Sequence, residues 1–198
     1  MTYSYRHLAI VPVLAFAFIF PGQRVTSTFD NNNNTFKDSL FDMCVVMPGD
    51  EVASLSPFNK PIKLVTADDR LDGYCGCHYD LQSDDDFPQV KISVNQFLSA
   101  KESKVTYVTY KNDWINLFQR EPEFIPNLGD SANFQGNADP SKCDDCGLQV
   151  ASGRFYIMVA FKGYYDQVSA TTKRDAAIRL VQRLFQKKPY LNNRRTSQ

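Results

Sequence analysis

Apolar and polar positions change period several times along the chain, and each change marks an element. Val90, Ile92 and Val94 alternate with Lys91, Ser93 and Asn95. That period of two predicts a strand over Val90–Leu98 with one buried and one wet face. Tyr74–Leu81 reads as a second strand, joined to it through the polar turn Ser83-Asp84-Asp85-Asp86 as a hairpin. Ile62–Val65 is a shorter strand upstream. Ser131–Gln135 follows the turn Asn127-Leu128-Gly129-Asp130. Leu148–Ala151 and Arg154–Lys162 flank Ser152-Gly153 as a tight hairpin. The segment RFYIMVAFK is apolar on both faces, so that strand belongs in the centre of a sheet.

Three segments carry helical signals. Met47–Leu55 has Pro48, Asp50 and Glu51 in its first turn, where the helix dipole favours acids. Tyr107, Tyr110, Trp114 and Leu117 recur at helical spacing, although Val105, Thr106, Val108 and Thr109 are β-branched and favour a strand. The balance predicts a helix over 103–119. In Thr172–Lys188 the residues Ala177, Leu180, Val181 and Leu184 form an apolar stripe, and Pro189 stops the helix. The order α-βββ-α-βββ-α implies an α+β domain, a single antiparallel sheet of about six strands packed with two to three helices.

The N-terminus bears on compartment. Arg6 and His7 precede the apolar run Leu8–Phe20, followed by Pro21-Gly22. Thirteen residues span roughly 20 Å as a helix, short of a hydrocarbon core of about 30 Å. The pattern predicts a signal peptide over 1–27, with cleavage after Val25-Thr26-Ser27. A polar spacer over 28–40, one domain over 41–188 and a basic tail over 189–198 complete the expected organisation. The mature product is expected to be periplasmic or extracellular, with no stable membrane span.

Composition fits this picture. The 198 residues are 43% hydrophobic and 13% aromatic, enough for a core, and the formal net charge is zero. A neutral chain argues against nucleic acid as a partner. The charge is nevertheless uneven. Residues 173–195 carry Lys173, Arg174, Arg179, Arg183, Lys187, Lys188, Arg194 and Arg195 against Asp175 alone. This basic face suits a phosphate or an acidic partner, or simply a solvated helix surface.

Candidate chemistry rests mainly on five cysteines, Cys44, Cys75, Cys77, Cys143 and Cys146. In an exported protein such residues form disulfides. As thiolates, Cys75, Cys77, Cys143 and Cys146 form a C-x-C and a C-x-x-C, a set suited to zinc or copper(I). Alternation along Tyr74–Leu81 puts Cys75 and Cys77 on one face and His78 on the other. Thioredoxin-like chemistry at Cys143-Asp144-Asp145-Cys146 is disfavoured, because two carboxylates raise the pKa of a thiol. Gly129-Asp130-Ser131-Ala132 has the form of an esterase nucleophile block, but no histidine follows His78 to accept the proton of Ser131. No catalytic set emerges. Trp114, Tyr164 and Tyr165 are candidates for lining a ligand groove.

Several of these features run in one order: Cys44, then Cys77-His78-Tyr79, then Leu128-Gly129-Asp130-Ser131-Ala132, then Val150–Gly153 and a strand, then a terminal helix bearing Arg179-Leu180 and Arg183-Leu184. Over residues 42–187 the chain resembles the small exported bacterial lipoproteins grouped as a domain of unknown function, with a PsbP-like α/β sandwich. The resemblance implies that fold, an exported location and a bridge between Cys44 and Cys77. It supplies no activity. The chain departs from the pattern in having no cysteine near the cleavage region, and so no site for a lipid anchor. The expected partner is another protein or a component of the cell envelope. The alternative is a thiol-based metal or redox protein using the cysteine cluster.

Overall fold

Seven strands form one open antiparallel sheet, with four helices laid on its two faces in a computed structural model. The structure describes residues 40–68, 73–82, 88–136, 145–162 and 168–192. The elements are α1 (Met43–Val46), α2 (Gly49–Leu55), β1 (Ile62–Ala67), β2 (Tyr74–Leu81), β3 (Gln89–Gln96), α3 (Ala100–Phe118), β4 (Glu123–Phe124), β5 (Ser131–Gln135), β6 (Asp145–Ser152), β7 (Phe155–Lys162) and α4 (Ala170–Lys187). A 3-10 turn, Pro189–Leu191, ends the described chain. The strand order is β1-β2-β3-β7-β6-β5-β4, so β7 is central, as its two apolar faces require.

Registry lines up one apolar face across the sheet. Phe134, Leu148, Val159, Ile92 and Cys77 form a continuous row, and Cys146, Phe161, Val90 and Tyr79 form the next. Met43, Met47 and Val52 from α1 and α2 cover this face together with Ala176, Ala177, Leu180, Val181 and Leu184 from α4. Leu191 is fully buried in the same core, so the packed domain runs past Pro189 into the segment expected to be tail.

Caps explain where the helices start. Ser99 Oγ accepts from the Glu102 amide, and Ser169 Oγ accepts from the Thr172 amide, each at 3.2 Å. Asp42 Oδ1 accepts from the amides of Cys44 and Val45, nucleating the four-residue α1 that the sequence pattern did not announce. At its far end α3 stops at Gln119, which is left-handed (φ 53°) and donates its amide to Ile115 O at 2.7 Å. The helix therefore ends before Glu121-Pro122, on a backbone cap of its own.

Two expectations need correction. The polar face of β3 is not wet at its centre: α3 packs on the same face of the sheet over β6 and β7, and Ser93 is buried with Asn133, Gln135 and Gln149 from β5 and β6. The loop expected over 137–147 yields its last three residues to β6, because Asp145, Cys146 and Gly147 pair with Lys162, Phe161 and Ala160. The two-residue β4 adds a seventh strand to the six expected. The turn Ser83–Asp86 lies outside the described residues.

Candidate functional site

The cysteines occupy two separate places. Cys44 and Cys77 form a disulfide that ties α1 to β2 beneath the helical layer. Cys75 is a buried thiol on the same face of β2, two residues along. Burial pushes its pKa up to about 12. Cys146, on β6, is also disulfide-bonded. Strands β3 and β7 stand between β2 and β6, which separates Cys146 from Cys75 and Cys77 by about 14 Å at ordinary strand spacing. Thiolates sharing one zinc lie within about 2.3 Å of the metal. The structure thus does not bring Cys75 and Cys77 to Cys146, and Cys77 is already committed to Cys44. Cys143 lies outside the described residues, as do Tyr164 and Tyr165.

His78 points to the opposite face of β2, where a polar cluster gathers around Gly76. Asp68 accepts from the Tyr74 hydroxyl, lies against His78 Nε2, and meets Lys91 Nζ at 3.1 Å. Burial alone would raise the pKa of Asp68, but the Tyr74 and Lys91 contacts outweigh it and hold the carboxyl below its usual value. A carboxylate so fully engaged is a clamp between the end of β1 and strands β2 and β3, and a poor proton acceptor. Ser131 sits at the start of β5, four strand steps from His78, or about 19 Å. No serine–histidine pair forms there.

The basic face of α4 is used within the fold. Arg183 and Lys187 both bind Glu51 of α2, and Lys187 also donates to Val46 O at 2.8 Å. Burial opposes ionisation of Glu51, yet these two cations hold its pKa below the usual range. Arg179 remains exposed.

The arrangement best suited to a ligand lies at the opposite side of the sheet, under the C-terminal turn of α3. A cavity of about 140 Å³ is walled by Trp114, Phe118, Phe134, Gln135 and the first turn of α4 (Ala170 and Thr171). Trp114 and Phe118 are neighbours on α3, with ring centroids 4.7 Å apart. Gln135 is the middle link of a buried amide ladder. Its Nε2 donates to Asn133 Oδ1 at 2.8 Å, and its Oε1 accepts from Gln149 Nε2 at 3.2 Å. Buried amides are costly unless paired, and this ladder ends on Gln149 Oε1 with no partner among the described residues.

Arg120, Glu121 and Glu123 line the mouth. Glu121 is paired with Lys111 at 3.1 Å, and Glu123 with Arg174 at 2.7 Å. Arg120 is exposed and has no ion pair or hydrogen bond among the described residues. Sequence reasoning reached Trp114 as a groove candidate but missed Arg120 and Gln135. No spacing links those two, and only the β5–β6 register brings Asn133 opposite Gln149.

No family model, curated protein or solved structure matches the chain.

Proposed function

We propose that the mature chain is an exported binding domain, stapled by disulfides and non-enzymatic, whose partner is another protein or a component of the cell envelope. The observation that carries this reading is the Cys44–Cys77 bridge, which joins the partly buried Cys44 of the first helix to the fully buried Cys77 of the sheet. Such a bond persists in oxidising compartments and is rare where thiols are kept reduced. Cys146, disulfide-bonded as well, points the same way. The polar clusters support binding more than catalysis, since Asp68, His78 and Glu51 are engaged in holding elements together. The layered antiparallel architecture is compatible with the PsbP-like resemblance, and membership of that exported family forms part of the proposal.

Intact-mass spectrometry of the natively exported protein, before and after alkylation and with metal analysis, tests the reading. A mass beginning near Thr28, bridged Cys44 and Cys77, and no stoichiometric metal are expected. A reduced product retained in the cytoplasm, or one zinc or copper per chain, overturns it in favour of the thiol-based alternative.

A further inference from the structure

We infer that the cavity beneath the α3 terminus is a binding site for an aromatic carboxylate, either a free acid or the C-terminal aromatic residue of a peptide. The inference rests on the reading of the chain as a binding domain and names the chemistry that domain recognises. A cavity near 150 Å³ with apolar walls admits one benzene-sized ring. This one measures about 140 Å³ and offers Trp114, Phe118 and Phe134 as walls. A single ring fits.

The polar groups around the cavity define what the ring carries. Arg120 is a guanidinium at the mouth without a partner among the described residues. Such a group presents a planar fork that matches a carboxylate. The lining also includes the first turn of the eighteen-residue α4, which contains no acidic side chain. Ser169 caps only the Thr172 amide with its side chain, so the Ala170 and Thr171 amides remain outside the helical ladder. Glu121 and Glu123 also stand at the mouth, paired with Lys111 and with Arg174, the latter shared with Asp175. A carboxylate lies between Arg120 and the α4 amides while the ring occupies the cavity against Trp114. The amide of Gln135 at the cavity wall suits a peptide group or a ring substituent.

Trp114 is the only tryptophan in the chain, so fluorescence excited selectively at tryptophan reports on this site alone. The full chain is titrated with phenylacetate, with the neutral phenylacetamide, and with the peptide Gly-Gly-Phe as free acid and as amide. For a ligand this small a Kd on the order of 1 mM is expected. Saturable change with both acids, at least tenfold weaker binding of both amides, a tenfold loss in Arg120→Gln and partial recovery in Arg120→Lys are the expected results. Gly-Gly-Phe binding tenfold more tightly than phenylacetate identifies a chain end as the source, and equal or weaker binding identifies a free acid. Equal response to acids and amides, no saturable response, or an Arg120→Gln variant that binds like the parent overturns the inference. Such a failure leaves the disulfides and the export test untouched, so the two readings fail separately.

Discussion

Asp68 lies over Gly76, and the missing side chain of Gly76 is what lets its carboxylate rest there. A Cβ at residue 76 would collide with an oxygen of Asp68 and crowd the Tyr74 hydroxyl. The sheet has thus left one position of β2 empty to seat a charge that binds Tyr74, His78 and Lys91 together. Gly76→Ala is expected to destabilise the fold by about 1–3 kcal/mol, the usual range for forcing an atom into filled space. Urea denaturation measures it. In an Asp68→Ala background the same substitution should cost markedly less, and equal costs in both backgrounds would show that the carboxylate is not what the new methyl meets.

The same clamp makes stability depend on pH. The folded pKa of Asp68 lies below its ordinary value of 3.8, and that of Glu51 below its ordinary 4.5. Unfolding therefore raises both pKa values, and the unfolded chain binds more protons in acid. Their contribution is complete above about pH 5 and is lost as pH falls through 4 towards the folded values. Asp68→Asn should flatten the decline in melting temperature between pH 5 and 3. An unchanged slope would assign that decline to other carboxylates.

Cys75 should be chemically silent in the native protein. With a pKa near 12, its thiolate fraction at pH 8 is about 10⁻⁴, and the side chain is buried. Iodoacetamide is expected to modify it only after denaturation without reductant. Rapid labelling of the native chain at Cys75, read by peptide mapping, would contradict its placement under the helices.

Loss of the Cys44–Cys77 bridge should cost about 4 kcal/mol on chain-entropy grounds, because it closes a loop with a sequence separation of 33. Cys44→Ala compared with the oxidised parent in guanidinium unfolding gives the value. A shift below about 1 kcal/mol would mean that the unfolded chain is already compact around this loop.

Leu191→Ala should destabilise by about 2–5 kcal/mol, since the side chain is fully buried beyond the last long helix. Truncation after Lys188 should do at least as much. An unaffected melting temperature would return 189–191 to the status of a tail.

These contrasts show where the chain was legible. The limits of β2 and β5 follow from local alternation and turn residues, and α4 follows from its stripe, because in each the period and the punctuation agree. α3 was harder: its apolar residues fall partly on the outside, with Val105 and Leu117 more than half exposed. α1 is only four residues held by Asp42, too short to show a period. The start of β6 was hidden because Asp145, Cys146 and Gly147 have turn-like character, and only pairing with β7 makes them strand. The candidate site was least visible. Arg120, Gln135 and the first turn of α4 come from three places in the sequence and meet only through the sheet order.

That order also governs the sequence in which the molecule can be assembled. The central pairing joins β3 to β7, with residues 97–154 looped between them, and the core face is then closed by α4. Strands β1 and β2 are covered by α1 and α2, which precede them, but β3 lacks its inner neighbour until β7 is made. The centre of the sheet thus rests on a pairing of long sequence separation, a kind that is slow to form because loop closure must precede its reward. The C-terminal helix, which packs on β6 and β7, closes the core over this central pairing.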